Sequence, residues 1–351
     1  MIMSELRDIT VLYTACGAVY TPAFIDCLKD NGERNIRVIG ADMAYDETIA
    51  PLIDKLYVTP KAIEPGYVDA LLKICKSEKV DVLIPGMSNE LVKLWDKRKE
   101  FEKIGSIVSL SNKESIEITT DKFRFYTFLK DNNLPVPKFA LITNSEELLA
   151  ACTHCGYPER PVCVKATNLS GSRGIRIIKS DVSRFDILFG EKPNSMFTTM
   201  DELQATLREK DTMPEMMAME YLPGVEGSVD LIGDNGKVLY AGYRESTVNL
   251  ASIPQVAEVK ENKEAIDIAT KVCEALKIDG NADFDFKEDE NGHPVLMEVN
   301  PRVAATMKIF KKAGMNLPYL RIKQLLGEEL PEVEIKYGIK MKRRYQEMFS
   351  E

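Results

Sequence analysis

The sequence predicts an α/β protein with more than one lobe, and three observations support this prediction. In the first hundred residues, short apolar runs alternate with helical patterns, which is typical of a parallel sheet covered by helices on both faces. From residue 161 onward, strand-like runs follow one another with turn residues between them. The chain has 351 residues, which is roughly the length of two domains.

The N-terminal segment is predicted to form a doubly wound domain. Its elements, in chain order, are a strand at 9–14, a helix at 22–31, a strand at 36–41, a helix at 68–77, a strand at 80–85 and a helix at 90–101. Gly17 and Asp42 follow the first two strands, so a nicotinamide site is one alternative. The G-x-G-x-x-G fingerprint is missing after the first strand, and we therefore interpret this segment as a structural domain beside a substrate cleft.

The chain passes into a second unit near residues 111–120. Its predicted elements are helices at 121–131, 145–155 and 264–276 and strands at 161–166, 175–179, 216–222, 228–232 and 237–242. The polar stretch 181–214 is long for a simple connection between a strand and a helix. We find no internal repeat, which excludes a duplicated architecture.

A short loop after the strand 161–166 has the composition of a phosphate-binding segment. Ser170, Gly171, Ser172 and Gly174 leave the backbone free to approach anionic oxygens closely. No G-x-x-x-x-G-K-[ST] pattern is present, so this is not a Walker A loop. A glycine-containing hairpin turn is the alternative. Lys165 favours phosphate, because a lysine beside such a loop provides a point charge.

Residues 281–302, NADFDFKEDENGHPVLMEVNPR, are the most informative stretch of the chain. Asp283 and Asp285 alternate with phenylalanines, and this period of two predicts a half-buried strand. A turn at 289–292 then leads into a second apolar strand.

The hairpin predicted from this stretch brings Asp283 or Asp285 alongside Glu298 and Asn300. Such hard oxygen ligands suit magnesium, which usually takes one or two carboxylates together with nucleotide phosphates. Arg302 follows closely and is placed to reach a phosphate oxygen or an acyl phosphate. An acidic hairpin with a solvated face is the alternative.

Composition excludes several classes of protein. Hydrophobic residues make up 44% and charged residues 29% of the chain, as in ordinary globular proteins. The net charge of −9 and the lack of a long basic run argue against a nucleic-acid partner, and we interpret the short basic cluster at 340–344 as a solvated end. No apolar run approaches membrane-spanning length and no signal peptide is visible, so we expect no membrane partner and a cytoplasmic protein with reduced cysteines.

Together these features resemble the ATP-grasp superfamily over residues 8–330, because six motifs occur in the family's order. They are Asp121-Lys122, the proline turn 134–137, Val164-Lys165, the loop 170–174, the stretch 219–226 with Glu220, Tyr221, Leu222 and Glu226, and the set Asp283, Glu298, Asn300 and Arg302. The stretch AGMNLPYLRIKQLLGEE after Arg302 is most similar to the large chain of carbamoyl-phosphate synthase and to related amino-acid ligases.

The resemblance implies an ATP-grasp fold with three parts. A Rossmann-like pre-ATP-grasp domain would span 1–115, and an ATP-grasp domain would span 116–330. The latter would contain a small lid at about 136–218 and a C-terminal α+β lobe, followed by a tail at 331–351. ATP should lie between the lid and the C-terminal lobe.

The resemblance also implies an ADP-forming ligase that uses ATP with Mg²⁺, or with Mn²⁺ as an alternative. Lys122, Lys165 and the loop would bind phosphates, while residues 220–222 and Glu226 would bind adenine and ribose. Arg302 and Lys165 would stabilise the transferred phosphoryl group. Asp283, Glu298 and Asn300 would hold the metal ion. The spacing favours Asp283 over Asp285 as the first ligand.

The substrates implied are a small carboxylate and an amine or free ammonia, since no glutaminase-like Cys/His arrangement is present. Arg244, at the end of a strand, is a further candidate for the acceptor carboxylate, with an ordinary surface arginine as the alternative. Three functions stay open: a carboxylate–amine ligase, a single unit that phosphorylates bicarbonate or carbamate, and a regulatory nucleotide-binding protein. A homodimer is compatible with each.

Overall fold

The computed structural model describes residues 6–169, 171, 173–181, 183–191, 195–250, 253–344 and 346–349, without the side chains of 248–250. Its N-terminal sheet is parallel, with the strand order β3-β2-β1-β4-β5. The elements of this domain are β1 Ile9–Thr14, α1 Thr21–Lys29, β2 Ile36–Asp42, β3 Lys55–Val58, α2 Tyr67–Glu78, β4 Val82–Ile84, α3 Leu91–Lys103, β5 Ile107–Val108 and α4 Lys113–Thr119. The predicted parallel sheet is confirmed. The short strand β3 was not predicted, because only the four residues KLYV carry its pattern.

A second sheet forms the region predicted as the lid, with the order β6-β10-β7-β8-β9. Its elements, with the helix that leads into them, are α5 Lys122–Asp131, β6 Phe139–Ile142, α6 Leu148–His154, β7 Val162–Ala166, β8 Ile175–Ile178, α7 Arg184–Gly190, β9 Phe197–Thr198, α8 Met200–Leu207 and β10 Met216–Glu220. The Asp121 side chain caps α5 by accepting a hydrogen bond from the Arg124 backbone N–H. The long polar stretch at 181–214 thus contains α7, β9 and α8.

The third sheet has the order β15-β14-β11-β12-β13-β16, and its adjacent strands are antiparallel. The elements are β11 Glu226–Asp234, β12 Lys237–Leu250, β13 Ile253–Lys260, α9 Lys263–Leu276, β14 Gly280–Glu288, β15 Pro294–Asn300, α10 Lys308–Lys312, α11 Leu317–Leu325 and β16 Lys340–Lys342. The expected tail at 331–351 is corrected here, since β16 pairs with β13 and completes the sheet.

Two helices join the third sheet to the N-terminal domain. Val303 and Met307, from the segment before α10, and Tyr319 and Ile322 of α11 pack into the same apolar cluster as the strands β1, β2 and β4. Arg321 is buried and donates hydrogen bonds to Ser109 Oγ at 3.2 Å and Asp279 Oδ1 at 2.6 Å. The start of the hairpin β14–β15 is therefore fixed against the N-terminal sheet.

Candidate functional site

The third sheet presents one polar face, which follows from its register. Ser228 on β11 lies opposite Arg244 on one neighbouring strand and Asp285 on the other. Directly paired residues lie on the same face of a sheet, as do residues two positions apart. This polar face consists of Glu226, Ser228, Asp230, Arg244, Ser246, Asp283, Asp285, Glu298 and Asn300. The other face carries Val229, Phe284 and Leu296, which pack against α9 in an apolar core.

Two carboxylates and one amide meet at the edge of the polar face. Asp285 lies opposite Glu298 in the register, and Asn300 Nδ2 donates to Asp285 Oδ2 at 3.1 Å. Ser228 Oγ donates to the other Asp285 oxygen at 2.6 Å. Burial, and then the charges of Asp283 and Glu298, raise the pKa of Asp285 well above its ordinary value. The carboxylates thus lie closer together than their charges favour, and a bound cation would offset their repulsion.

The donor set of Asp285, Glu298 and Asn300 fits magnesium. Within the described residues, no three His, Cys, Asp or Glu side chains form a complete metal cage. Two carboxylates and an amide oxygen still match the partial protein coordination of a magnesium ion that is shared with nucleotide phosphates.

Asp283, the ligand favoured from the sequence, has different neighbours. Its Oδ1 accepts a hydrogen bond from Arg244 Nη2 at 3.2 Å, and its Oδ2 lies 3.9 Å from Arg302 Nη1. Both carboxylate oxygens thus face guanidinium groups. Asp285 contacts Asn300 directly, so the geometry favours Asp285 over Asp283 as the carboxylate beside Glu298.

Two lysines approach this edge from the neighbouring elements. Lys122, the first residue of α5, places Nζ 3.6 Å from Glu298 Oε2 and donates a hydrogen bond to the Leu169 carbonyl at 2.8 Å. Lys165 on β7 is buried, with Nζ 3.3 Å from the Tyr126 hydroxyl and 4.9 Å from the centre of its ring.

The charges of these lysines and of Glu298 influence one another. Burial lowers the pKa of both Lys165 and Lys122, although the charge of Glu298 partly opposes this. Burial also disfavours the charge on Glu298, yet Lys122 and Lys165 hold the pKa of this carboxyl below its ordinary value. Glu298 and each lysine therefore favour one another's charged forms, whereas the positive charge of Lys165 disfavours that of Lys122.

The loop between β7 and β8 is described in part, and Ser170 and Ser172 lie outside the described residues. Gly171 and Gly174 both have positive φ angles, 68° and 70°. A Cβ on Gly174 would lie 2.9 Å from the Ala166 Cβ, whereas the space around Gly171 is open. The glycine at 174 is required both by its backbone angle and by its close approach to β7.

The stretch predicted to bind adenine and ribose runs from the end of β10 to the start of β11. Glu220 Oε2 accepts a hydrogen bond from the Lys138 backbone N–H at 2.8 Å, and Leu222 is buried. The Lys287 ammonium lies 5.6 Å from the centre of the Tyr221 ring and 3.4 Å from Glu226 Oε1. This stretch therefore borders both the lid sheet and the polar face.

Arg244 is surrounded by carboxylates. Its side chain is 3% exposed, and Nη2 lies 3.5 Å from Asp230 Oδ1 as well as 3.2 Å from Asp283 Oδ1. Burial disfavours its charge, but Asp230 and Asp283 keep its pKa above the ordinary value. Arg244 is not a surface arginine, and its role toward a substrate stays a prediction.

Arg302 lies between the polar face and the N-terminal domain. Its Nη1 donates a hydrogen bond to the Val303 carbonyl at 2.9 Å, and its side chain is partly exposed. A small cavity beside it is lined by Pro85 of the N-terminal domain and Asn281 of β14. The side chain therefore borders both this cavity and the polar face.

Asp230, Tyr126 and Arg343 belong to this region but were not predicted from the sequence. Alternation along β11 places Asp230 on the same face as Ser228, and this alternation is visible in the sequence. Tyr126 is in a helix and contacts Lys165 only through the tertiary fold. Arg343 follows a strand whose pairing no local pattern reveals.

Two further features of the sequence lie outside this polar face. Asp42, at the end of β2, accepts a hydrogen bond at 2.8 Å from the backbone N–H of Gly17, in the loop after β1. Cys152 and Cys155 are buried, and burial raises the pKa of each thiol to about 12.

Among the described residues, no helix combines the length and apolar character that a membrane crossing needs.

Comparison with known proteins places this architecture in a class. Residues 212–347 match the family model described as ATP-grasp in the biosynthetic pathway with Ter operon. Residues 11–109 match the PylC-like N-terminal domain. These two matches confirm the resemblance to ATP-grasp proteins that was expected from the sequence.

Individual relatives agree with this resemblance. The chain is 26% identical over 328 residues to the carbamoyl phosphate synthase large chain of Clostridium acetobutylicum, and the match covers 90% of this chain. That match covers 28% of the relative, so the chain spans little more than a quarter of its length.

Solved structures show the same fold. The N5-carboxyaminoimidazole synthetase of Staphylococcus aureus complexed with ADP has a TM-score of 0.69 at 17% identity, covering 94% of this chain and 81% of that one. The L-amino acid ligase of Bacillus licheniformis has a TM-score of 0.65 at 16% identity, covering 93% and 76%. The predicted ATP-grasp fold is thus confirmed.

Proposed function

We propose that this protein is an ATP-dependent ligase that joins a carboxylate to an amine or ammonia and releases ADP and phosphate. One observation carries the proposal. Lys122 contacts both Glu298 of the metal hairpin and the Leu169 carbonyl of the loop after β7. The phosphate loop, the lysines and the carboxylate edge therefore meet at one place, which is the arrangement that phosphoryl transfer needs.

The proposed binding mode assigns each part of ATP to described residues. Residues 220–222 and Glu226 would contact adenine and ribose, and Lys122, Lys165 and Gly174 would bind the phosphates. Asp285, Glu298 and Asn300 would hold Mg²⁺, with Mn²⁺ as an alternative. The metal would neutralise charge on the transferred phosphoryl group. The complex of the staphylococcal synthetase with ADP supports the choice of nucleotide.

The proposed reaction has two steps that need no covalent enzyme intermediate. A carboxylate oxygen of the substrate attacks the γ-phosphorus, and the bond between this phosphorus and the ADP oxygen breaks. The amine nitrogen then attacks the acyl carbon, phosphate leaves and the nitrogen loses a proton. Arg302 and Lys165 act in the first step by holding the phosphoryl oxygens in place and stabilising their charge.

A second candidate is favoured by the similarity to carbamoyl phosphate synthase large chains. In this candidate the same site phosphorylates bicarbonate or carbamate. The third reading, a regulatory nucleotide-binding protein, is disfavoured because the carboxylates and lysines of the site are all present. The homodimer and the cytoplasmic location stay predictions.

Phosphate release from ATP distinguishes these candidates. Purified protein with Mg-ATP is screened with single amino acids, pairs of amino acids, ammonia and bicarbonate. The ligase requires an acid together with an amine, or shows slow release with the acid alone. Release that depends on bicarbonate and ignores every amino acid supports the second candidate. ATP binding without release under any condition supports a regulatory protein.

A further inference from the structure

The basic cluster at 340–344 contributes a residue to the polar face. Ser246 on β12 pairs with Ala257 on β13, which pairs with Met341 on β16. Met341 therefore lies on the same side of the sheet as Ser246 and Arg244. Arg343, two residues further on, emerges on this side as well. The cluster is thus more than a solvated end of the chain.

Two hydrogen bonds fix the guanidinium of Arg343. Nε donates to the Pro254 carbonyl at 2.9 Å, and Nη2 donates to the Ala305 carbonyl at 2.7 Å. Ala305 belongs to the loop that begins with Arg302 and leads into α10. Arg343 is therefore held next to the segment that carries the proposed phosphate residue. Its Nη1 has no partner among the residues that the structure describes.

Arg343 differs from the two neighbouring arginines in its ion pairs. Among the described residues, no carboxylate forms an ion pair with it, and its side chain is half-buried. Burial and then the positive charge of Arg244 lower its pKa. Arg244 and Arg302, by contrast, lie within 4 Å of the carboxylates of Asp230 and Asp283. Of these three guanidinium groups, only that of Arg343 lacks a carboxylate partner among the described residues.

We propose that Arg343 binds the carboxylate of the acid substrate. This inference rests on the proposed ligase function and names a residue that would hold its substrate. A half-buried guanidinium without a carboxylate partner favours an anionic ligand, and its planar fork matches a carboxylate in particular. Arg244 is already engaged by two aspartates, which leaves Arg343 as the better candidate for a direct contact.

Anion binding without nucleotide tests this inference independently of turnover. The thermal unfolding midpoint of the full chain is measured against sodium malonate, a carboxylate probe, and against inorganic phosphate, both at constant ionic strength. R343Q removes the positive charge. R343K keeps the charge but replaces the planar guanidinium by an ammonium group. R344Q, at the exposed neighbouring residue, is the matched control. Circular dichroism verifies that each variant is folded.

We expect malonate to raise the midpoint of the natural protein and of R344Q with the same half-saturating concentration. R343Q should need at least tenfold more malonate, and R343K several-fold more. If R343Q does not fold, an unchanged half-saturating concentration in R343K overturns the inference. It is also overturned if R343Q responds like R344Q, or if only phosphate has an effect. If malonate binds through Arg343 but no ligase turnover is found with any substrate, the anion site is retained and the proposed function is rejected.

Discussion

At the scale of the residue, the contact between Glu298 and Lys122 joins the hairpin β14–β15 to the helix α5. The Glu298 side chain is 37% exposed, and in the proposed binding mode it exchanges this contact for the metal ion. We expect E298Q to lower ATP turnover at least a hundredfold, about 2.7 kcal/mol of transition-state stabilisation, while the fold stays intact. Steady-state ADP release measures the effect.

The control for this variant is E290Q, which removes an exposed acid from the turn of the same hairpin. Glu290 lies 3.6 Å from Arg160, in the turn that follows the last pair of the hairpin, Glu288 and Pro294, whereas Glu298 pairs with Asp285. The turnover of E290Q should equal that of the natural protein. Near-normal turnover in a folded E298Q variant would reject the metal assignment.

The two aspartates of β14 should respond differently to magnesium. Asp285 contacts Asn300, whereas both Asp283 oxygens face arginines. We therefore expect D285N to raise the magnesium concentration needed for half-maximal turnover by roughly tenfold, because a charged ligand becomes neutral. D283N should change this concentration by less than about twofold relative to the natural protein, and it should lower the maximal turnover instead. The opposite ranking in a magnesium titration would restore Asp283 as the ligand.

Most residues of the proposed site were named from the sequence, because Lys165, Glu298, Asn300 and Arg302 lie in short motifs with fixed spacing, and their roles stay predictions. The spacing favoured Asp283 over Asp285, whereas the geometry favours Asp285. Both alternate onto the same face of β14, and a bulge between Asp285 and Phe286 shifts the pairing with β15. Spacing along the chain does not reveal such a shift.

At the scale of the element, the phosphate loop depends on its second glycine. G174A should lower the free energy of unfolding more than G171A does. Both substitutions place alanine at a positive φ, which costs about 1–2 kcal/mol. Only the first also brings a Cβ to 2.9 Å from Ala166, and such crowding costs about 1–3 kcal/mol more. Urea denaturation of the two variants measures the difference, and equal losses would contradict the close packing of this loop on β7.

The end of α2 is attached to two strands through one carboxylate. Glu78 accepts hydrogen bonds from Lys55 at 2.7 Å and Arg37 at 2.6 Å, and it also contacts the Tyr57 hydroxyl. The bonds to Lys55, Tyr57 and Arg37 lower its pKa from 4.5 to about 2.

Because the folded pKa of Glu78 is depressed, its contribution to stability is present above pH 4.5 and is lost as the pH falls toward 2. Solvent reduces this contribution to the order of 1 kcal/mol. Urea unfolding between pH 7 and pH 3 should show a shallower loss of stability in E78Q than in the natural protein. The matched control E102Q, at an exposed residue, should follow the natural protein, and identical slopes in all three would exclude this role.

Element prediction succeeded where the pattern was local. The alternation in 281–286 and the apolar run 9–14 appear as strands with nearly the expected bounds. The strands β13 and β16 were missed, because their residues mix charged and apolar types and their pairing partners are distant in the chain: β13 pairs with β12 and β16, and β16 pairs with β13. A strand of this kind is defined by its partner, which a single sequence does not show.

At the scale of the whole molecule, one buried arginine connects the N-terminal sheet with the metal hairpin. Arg321 contacts Ser109, Asp279 and Gln324. We expect R321M to lower the free energy of unfolding by about 1.5–3 kcal/mol, because charged hydrogen bonds across the interface are lost. R176M, at an exposed arginine of β8, should change it by less than about 0.5 kcal/mol. A loss in R321M no larger than in R176M, measured by urea denaturation, would contradict this role.

The helices α10 and α11 also have a consequence for synthesis on the ribosome. Apolar side chains of the N-terminal domain, including Val11 and Ile84, share a core with Tyr319 and Ile322. At about 5–20 residues per second, translation from Ile84 to Ile322 takes roughly 10–50 s. During this time the nascent domain has emerged but exposes an apolar surface that its own later residues will cover. Protection by a chaperone in this interval would therefore benefit this chain more than a protein whose first domain closes its core alone.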